Sequence, residues 1–150
     1  MSLMPLRTRV LVTLLDRLGR RPIEDLDLAG IRAARATINP RGYLADRITG
    51  YERTDVQVST ATVPARDGHP IPVRSYQPGG GADPDAPVVI YLHGGGFVVG
   101  GLHSHDDVCA EIRATTGLTV VAVDYRLSPE HQHPAALDDA LAVYRELLKT

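Results

Sequence analysis

Two short runs, Val88 to Leu92 and Leu118 to Val123, are apolar at consecutive rather than alternate positions. A strand that is apolar on both faces has to be covered on both, as in a sheet with helices above and below it. Between the runs, Ser104 can cap a helix that passes through Asp107 and Ile112 and stops at Gly117. After them, Pro134 to Lys149 places Leu137, Ala140, Leu141, Tyr144 and Leu148 on one helical face. Strand, helix, strand, helix is the order of an α/β fold with a parallel sheet and right-handed crossovers.

Upstream the period changes. Val56 and Val58, then Ile71, Val73 and Tyr76, alternate with polar residues, and Arg66-Asp67-Gly68-His69 supplies a turn between them, so an antiparallel hairpin is expected. The stretch Pro78 to Pro84 reads as a surface connection. The first 40 residues read as two helices: one carries Leu6, Val10, Leu11, Leu14, Leu15 and Leu18 and ends at Gly19, and one starts after Asp27 and stops near Asn39-Pro40. The expected organisation is a helical cap or arm over residues 1–50, followed by α/β sheet over 51–150.

Chemistry concentrates in His93-Gly94-Gly95-Gly96-Phe97, directly after the first buried strand. That is the end of the strand at which open α/β sheets bind ligands. Consecutive glycines let the backbone take conformations closed to other residues and leave the amide N–H groups unobstructed. Fixed donors of this kind can stabilise the negative charge that acyl transfer puts on a carbonyl oxygen. A Walker loop would need Gly-Lys-Ser or Gly-Lys-Thr, and a dinucleotide fingerprint would need G-x-G-x-x-G opening a helix. Neither pattern is present at this loop. A tight turn without a ligand is the bland alternative.

The second segment is Asp124-Tyr125-Arg126-Leu127-Ser128-Pro129-Glu130-His131, after the second apolar run. Asp124, Arg126 and Glu130 are expected to pair within one turn and brace this loop beside the site rather than act as acid or base. His93 is expected to orient the glycine loop by hydrogen bonding. The pairs His103/His105 and His131/His133 lack an H-E-x-x-H helix or a cysteine partner, so no metal site is assigned. Cys109, the single cysteine, excludes an internal disulfide and reads as a buried thiol.

Acidic and basic residues nearly balance, 18 against 16, so no global field attracts nucleic acid or an anionic membrane. Residues 1–53 hold ten arginines against six acidic residues, and the rest hold six basic against twelve acidic ones; a solvated helix face accounts for the basic excess. No apolar run reaches the ~20 residues of a membrane span, and no secretory signal opens the chain, so a cytoplasmic location is expected.

Taken together, Val89-Ile90-Tyr91-Leu92-His93-Gly94-Gly95-Gly96-Phe97, Asp124 to Glu130, and Pro134-Ala135-Ala136-Leu137-Asp138-Asp139 resemble the hormone-sensitive-lipase-like, or bacterial group IV, esterases of the α/β-hydrolase fold. The likeness covers residues from about 54 to 150. It implies a serine carboxylesterase working through an acyl-enzyme on short or medium acyl esters, with no cofactor. It further implies that Gly95 and Gly96, with Gly94 supporting the turn, form much of the oxyanion hole, that Phe97 and Val98 line the acyl pocket, and that the N-terminal helices form the cap. Two positions depart from the family pattern. Ser128 stands where an alanine is usual, and Gly101 stands where a small polar side chain is expected.

The family's nucleophile lies in a G-x-S-x-G elbow, followed along the chain by an acid and a histidine. None of the five serines, Ser2, Ser59, Ser75, Ser104 and Ser128, has that context. Covalent catalysis needs nucleophile and base in contact, so this stretch alone is expected to be inactive. Three readings follow: part of an active esterase, a half-domain completed by a complementary C-terminal half or engaged in a homodimer, and a binding module without turnover.

Overall fold

The computed structural model describes residues 9, 13, 25–36, 56–81 and 85–149. The chain divides into two compact units, Met1–Ala34 and Arg35–Thr150. In the first unit Arg9 and Thr13 are helical, and the Thr13 hydroxyl donates to the Arg9 carbonyl at 2.8 Å. The remainder of the first expected helix, the end of the second at residues 37–40 and the rest of the cap to residue 50 lie outside the described residues. Helix α1, Leu28–Ala36, starts where Asp27 predicts. The Asp27 carboxylate accepts the Gly30 N–H at 2.7 Å, which satisfies one of the unpaired amides of the first turn. No helix among the described residues is long and apolar enough to cross a membrane.

The second unit carries strands β1, Val56–Pro64, β2, Pro70–Pro78, β3, Val88–Leu92, and β4, Thr119–Val123, with helices α2, Asp106–Thr116, and α3, Ala135–Leu147. The sheet order is β1-β2-β4-β3. The expected hairpin is present, pairing Val58 with Tyr76 and Val63 with Ile71. β2 then pairs antiparallel with β4, and β3 lies parallel to β4 with Leu92 beside Val123. The loops that leave β3 and β4 therefore emerge at the same end of the sheet.

Alternate residues of β4 serve two cores. Val121 and Val123 pack with Ile71, Val73, Tyr125 and the α3 residue Val143, while Val120 and Ala122 pack with Tyr76, Leu102 and the α2 residues Cys109 and Ala110. Covering helices lie on both faces, as the continuous apolar run requires. Gly117 closes α2 in the left-handed conformation, with its N–H donating to the Arg113 carbonyl at 2.9 Å.

Three local expectations change. β3 has the same continuous apolar character as β4, yet among the described residues, where it is the last strand of the sheet, Val88 and Leu92 are exposed. On α3 the stripe Leu137, Leu141, Tyr144 faces outward, as does Leu148 beyond it, while Asp139 and Val143 are buried. Asp139 is held inward by the Arg126 guanidinium. Ser104 is also not the cap of α2, which begins after His105. Its hydroxyl accepts the Gly101 N–H at 3.0 Å and lies 2.8 Å from the Gly101 carbonyl, closing the turn before the helix.

Candidate active site

The glycine loop leaves β3 at His93 and folds back on itself. Val98 and Val99 both donate to the Gly95 carbonyl, at 3.1 and 3.0 Å. A Cβ on Gly95 would stand 1.9 Å from the Val99 carbonyl oxygen, and φ at Gly95 is +131°, so no side chain fits there. Gly100 is as restricted, since a Cβ would lie 2.5 Å from both the Gly94 carbonyl oxygen and the His93 ring. At Gly96, by contrast, an added Cβ would meet nothing within 4 Å, so the loop is open on that side. Among the described residues, the amides of Gly94, Gly95 and Gly96 meet no acceptor.

A column of rings supports the loop from below. His93 is buried and stacks on Tyr125 with centroids 4.3 Å apart and planes within 9°. His105 follows at 5.9 Å, and Tyr91 lies 5.8 Å beyond it. The Tyr125 hydroxyl donates to the His93 carbonyl at 2.5 Å. His93 Nδ1 lies 3.0 Å from the Gly94 carbonyl, which can only accept; a proton on Nδ1 makes that contact a hydrogen bond. Burial, and then the neighbouring His93, hold the His105 imidazole below its ordinary pKa, so its neutral form is favoured.

The second loop is braced differently. Arg126, Asp124 and Glu130 do not form the expected local cluster. Arg126 reaches Asp139 with Nε and Nη2, the latter at 2.7 Å, and reaches Asp67 with Nη1 at 2.7 Å. Its backbone N–H also donates to Asp139 at 2.9 Å. These bonds hold the guanidinium pKa above its ordinary value, and Arg126 in turn holds the Asp67 carboxyl below its own. Glu130 receives Arg35 at 2.9 Å. Asp124 sits beside Gly101, where a Cβ would stand 3.2 Å from its carboxylate, and its N–H donates to the Pro72 carbonyl at 2.9 Å.

The two loops are joined directly, because the Ser128 N–H donates to the Phe97 carbonyl at 2.8 Å. Phe97 itself is 62% exposed with φ of +61°, and Val98 behind it is half-buried. Gly100, His105, Tyr125, Asp139 and Arg35 carry much of this geometry, although the sequence assigns none of them this role. Glycine spacing could have marked Gly100, but the other four act through contacts distant in sequence. A separate buried group lies under α2, where Arg74 and the Tyr76 hydroxyl both donate to Asp106. Burial and Asp106 push the nearby Cys109 thiol up to about 12, which leaves it protonated and unreactive.

A mixed sheet covered by helices on both faces, with a glycine loop at the end of a parallel strand, is the plan of the α/β-hydrolase fold. A family model for the alpha/beta hydrolase fold matches residues 89–150. Among curated relatives, the chain is 45% identical over 97 residues to an ethyl acetate hydrolase of Pseudomonas putida, covering 61% of this chain and 29% of that protein. It is 51% identical over 77 residues to the esterase LipI of Mycobacterium tuberculosis, covering 51% of this chain and 24% of that protein. A hyperthermophilic esterase from the archaeon Pyrobaculum calidifontis superimposes with a TM-score of 0.77 at 35% identity, over all of this chain and 45% of that one. The chain thus spans under a third of the length of these curated relatives.

Proposed function

We propose that the protein is a carboxylic ester hydrolase acting on short or medium acyl esters, and that Gly94, Gly95 and Gly96 present the backbone donors of its oxyanion hole. The observation that carries this reading is the glycine turn: Gly95 is too crowded for any side chain, while Gly96 faces open space with its amide unclaimed. Relatives named as an ethyl acetate hydrolase and an esterase support the substrate class. When a nucleophile adds to an ester carbonyl, charge moves onto the oxygen, and preset amides stabilise that state more than the bound ester. His93 holds the Gly94 end of the turn, and Phe97 and Val98 supply an apolar wall for the acyl chain. Asp124, Arg126 and Glu130 keep the adjoining loop in place. The serine, acid and histidine that form and hydrolyse the acyl-enzyme are assigned outside these 150 residues. Acyl transfer on this plan uses no cofactor.

The test is hydrolysis of p-nitrophenyl acetate and butyrate by the protein as its cells make it, with Gly95→Ala beside the wild type. Turnover should fall by roughly 100- to 1000-fold, the usual cost of losing one oxyanion donor, while far-ultraviolet circular dichroism stays the same. A wild type that hydrolyses neither ester, or a Gly95→Ala variant as active as wild type, overturns the reading. A serine-directed phosphonate should label none of Ser2, Ser59, Ser75, Ser104 and Ser128.

A further inference from the structure

Phe97 is the one non-glycine residue with positive φ among the described residues, at +61°. Such a conformation persists only where the surroundings over-determine it. The fixing groups are two donors on consecutive carbonyls. The Ser128 N–H holds the Phe97 carbonyl at 2.8 Å, and Arg35 Nε holds the Val98 carbonyl at 2.8 Å. The same guanidinium donates through Nη2 to the Ser128 carbonyl at 2.5 Å and through Nη1 to Glu130 at 2.9 Å. One planar fork therefore spans the far end of the glycine loop and the turn at 128–130. Its side chain is only 23% exposed, and its partners lie 63 to 95 residues away in sequence.

We propose that Arg35 is a positioning residue for the oxyanion loop, an inference that rests on the ester-hydrolase reading above. With the Phe97 and Val98 carbonyls drawn toward the 128–130 turn, the Val98 and Val99 amides point back to the Gly95 carbonyl. That closure leaves the Gly95 and Gly96 amides facing outward. A lysine could not substitute, because its point charge cannot serve two carbonyls and a carboxylate in one plane. Arg35 touches no reacting atom. Its effect is on where the donors sit, and a displacement of about 1 Å at such donors costs about 100-fold in rate.

The test compares Arg35→Met and Arg35→Lys with wild type in the protein as expressed, by steady-state kinetics on p-nitrophenyl butyrate and by amide hydrogen exchange. Arg35→Met should lower kcat by about 100-fold with KM in place. Protection should fall at Val98, Val99 and Ser128 but not at Val121 in β4. Arg35→Lys should recover little of either. Unchanged kcat and protection in Arg35→Met, or full recovery by lysine, overturns the proposal. Lost protection that extends to Val121 also overturns it, since Arg35 would then hold the fold rather than the loop. If wild type hydrolyses no ester, the activity reading falls, and the exchange at Val98 and Val99 still decides the clamp.

Discussion

β3 and β4 are parallel neighbours of five residues each, VVIYL and TVVAV, yet they and the loops they lead into are built on opposite plans. β4 is buried along Val120 to Val123, and its loop is fastened by side chains: Arg126 to Asp139 and Asp67, Glu130 to Arg35. β3 is exposed at both ends, and its loop is shaped by glycines packed against backbone and against the His93 ring. The difference teaches that the loop to which we assign the donors carries one side-chain support of its own, the His93 ring, and otherwise relies on its backbone. If the loop presents its amides to an oxyanion, as we propose, the groups that hold it cannot also cover it. Its far rim is held by the Ser128 N–H of the loop next door and by Arg35 of α1.

The strongest way to break this comparison is to remove the anchor of the β4 loop. Asp139 is fully buried and meets Arg126 through three side-chain bonds, while the Arg126 side chain is itself only 13% exposed. Asp139→Ala leaves that charge with Asp67 as its one remaining carboxylate and should cost about 3 kcal/mol in chemical denaturation, the lower end for a broken buried pair. The exposed partner gives the contrast, since Asp67→Asn should leave the unfolding midpoint where it is. A loss at Asp139→Ala no larger than at Asp67→Asn would mean that the loop is held by its backbone, like its neighbour.

What could be read from the sequence follows the same division. The hairpin was legible because Ile71, Val73 and Tyr76 alternate with polar residues, and the glycine turn was legible because Gly94 to Gly96 mark a backbone need in the residue type itself. Gly117 and Asp27 are legible helix boundaries for the same reason. The inward turn of Asp139 was not legible, because the leucine stripe on α3 is the better amphipathic face and only Arg126, 13 residues earlier, reverses the choice. Nor could composition separate β3 from β4, since edge or centre is decided by which strands pair. Arg35 lies in a helix whose period says nothing about a carbonyl 63 residues away.

The strand contrast can be sharpened by paired truncations. Val121 is 4% exposed and packs in the core with Val123 and Val143, whereas Val88 is 45% exposed. Val121→Ala should cost about 2 kcal/mol, the transfer of the lost methyl groups together with the cavity they leave. In a chain of these 150 residues, Val88→Ala should stay within about 0.5 kcal/mol, as exposed substitutions do. Equal losses at the two sites would show that β3 is as well covered in solution as β4.

The smallest effect expected is a dependence on pH confined to the β3 side. His105 stacks against His93 and lies tilted to Tyr91 beneath the glycine loop, and burial first, then His93, hold its pKa below the ordinary histidine value of about 6.5. The unfolded or locally opened chain therefore takes up a proton more readily than the folded one. Linkage then gives full stability above pH ~6.5 and a decline as the pH falls from there, levelling off once the folded imidazole also protonates. Arg126 carries its charge throughout this range and the β4 loop has no histidine in its clamp, so that loop should not respond. Hydrogen exchange corrected for its intrinsic pH dependence reads both sides at once. Protection at Val98 and Val99 should weaken between pH 7.5 and 5 relative to Val121, and His105→Gln should flatten the dependence. A response that moves Val121 equally, or that survives His105→Gln, would place the proton elsewhere and remove the electrostatic part of the contrast between the two loops.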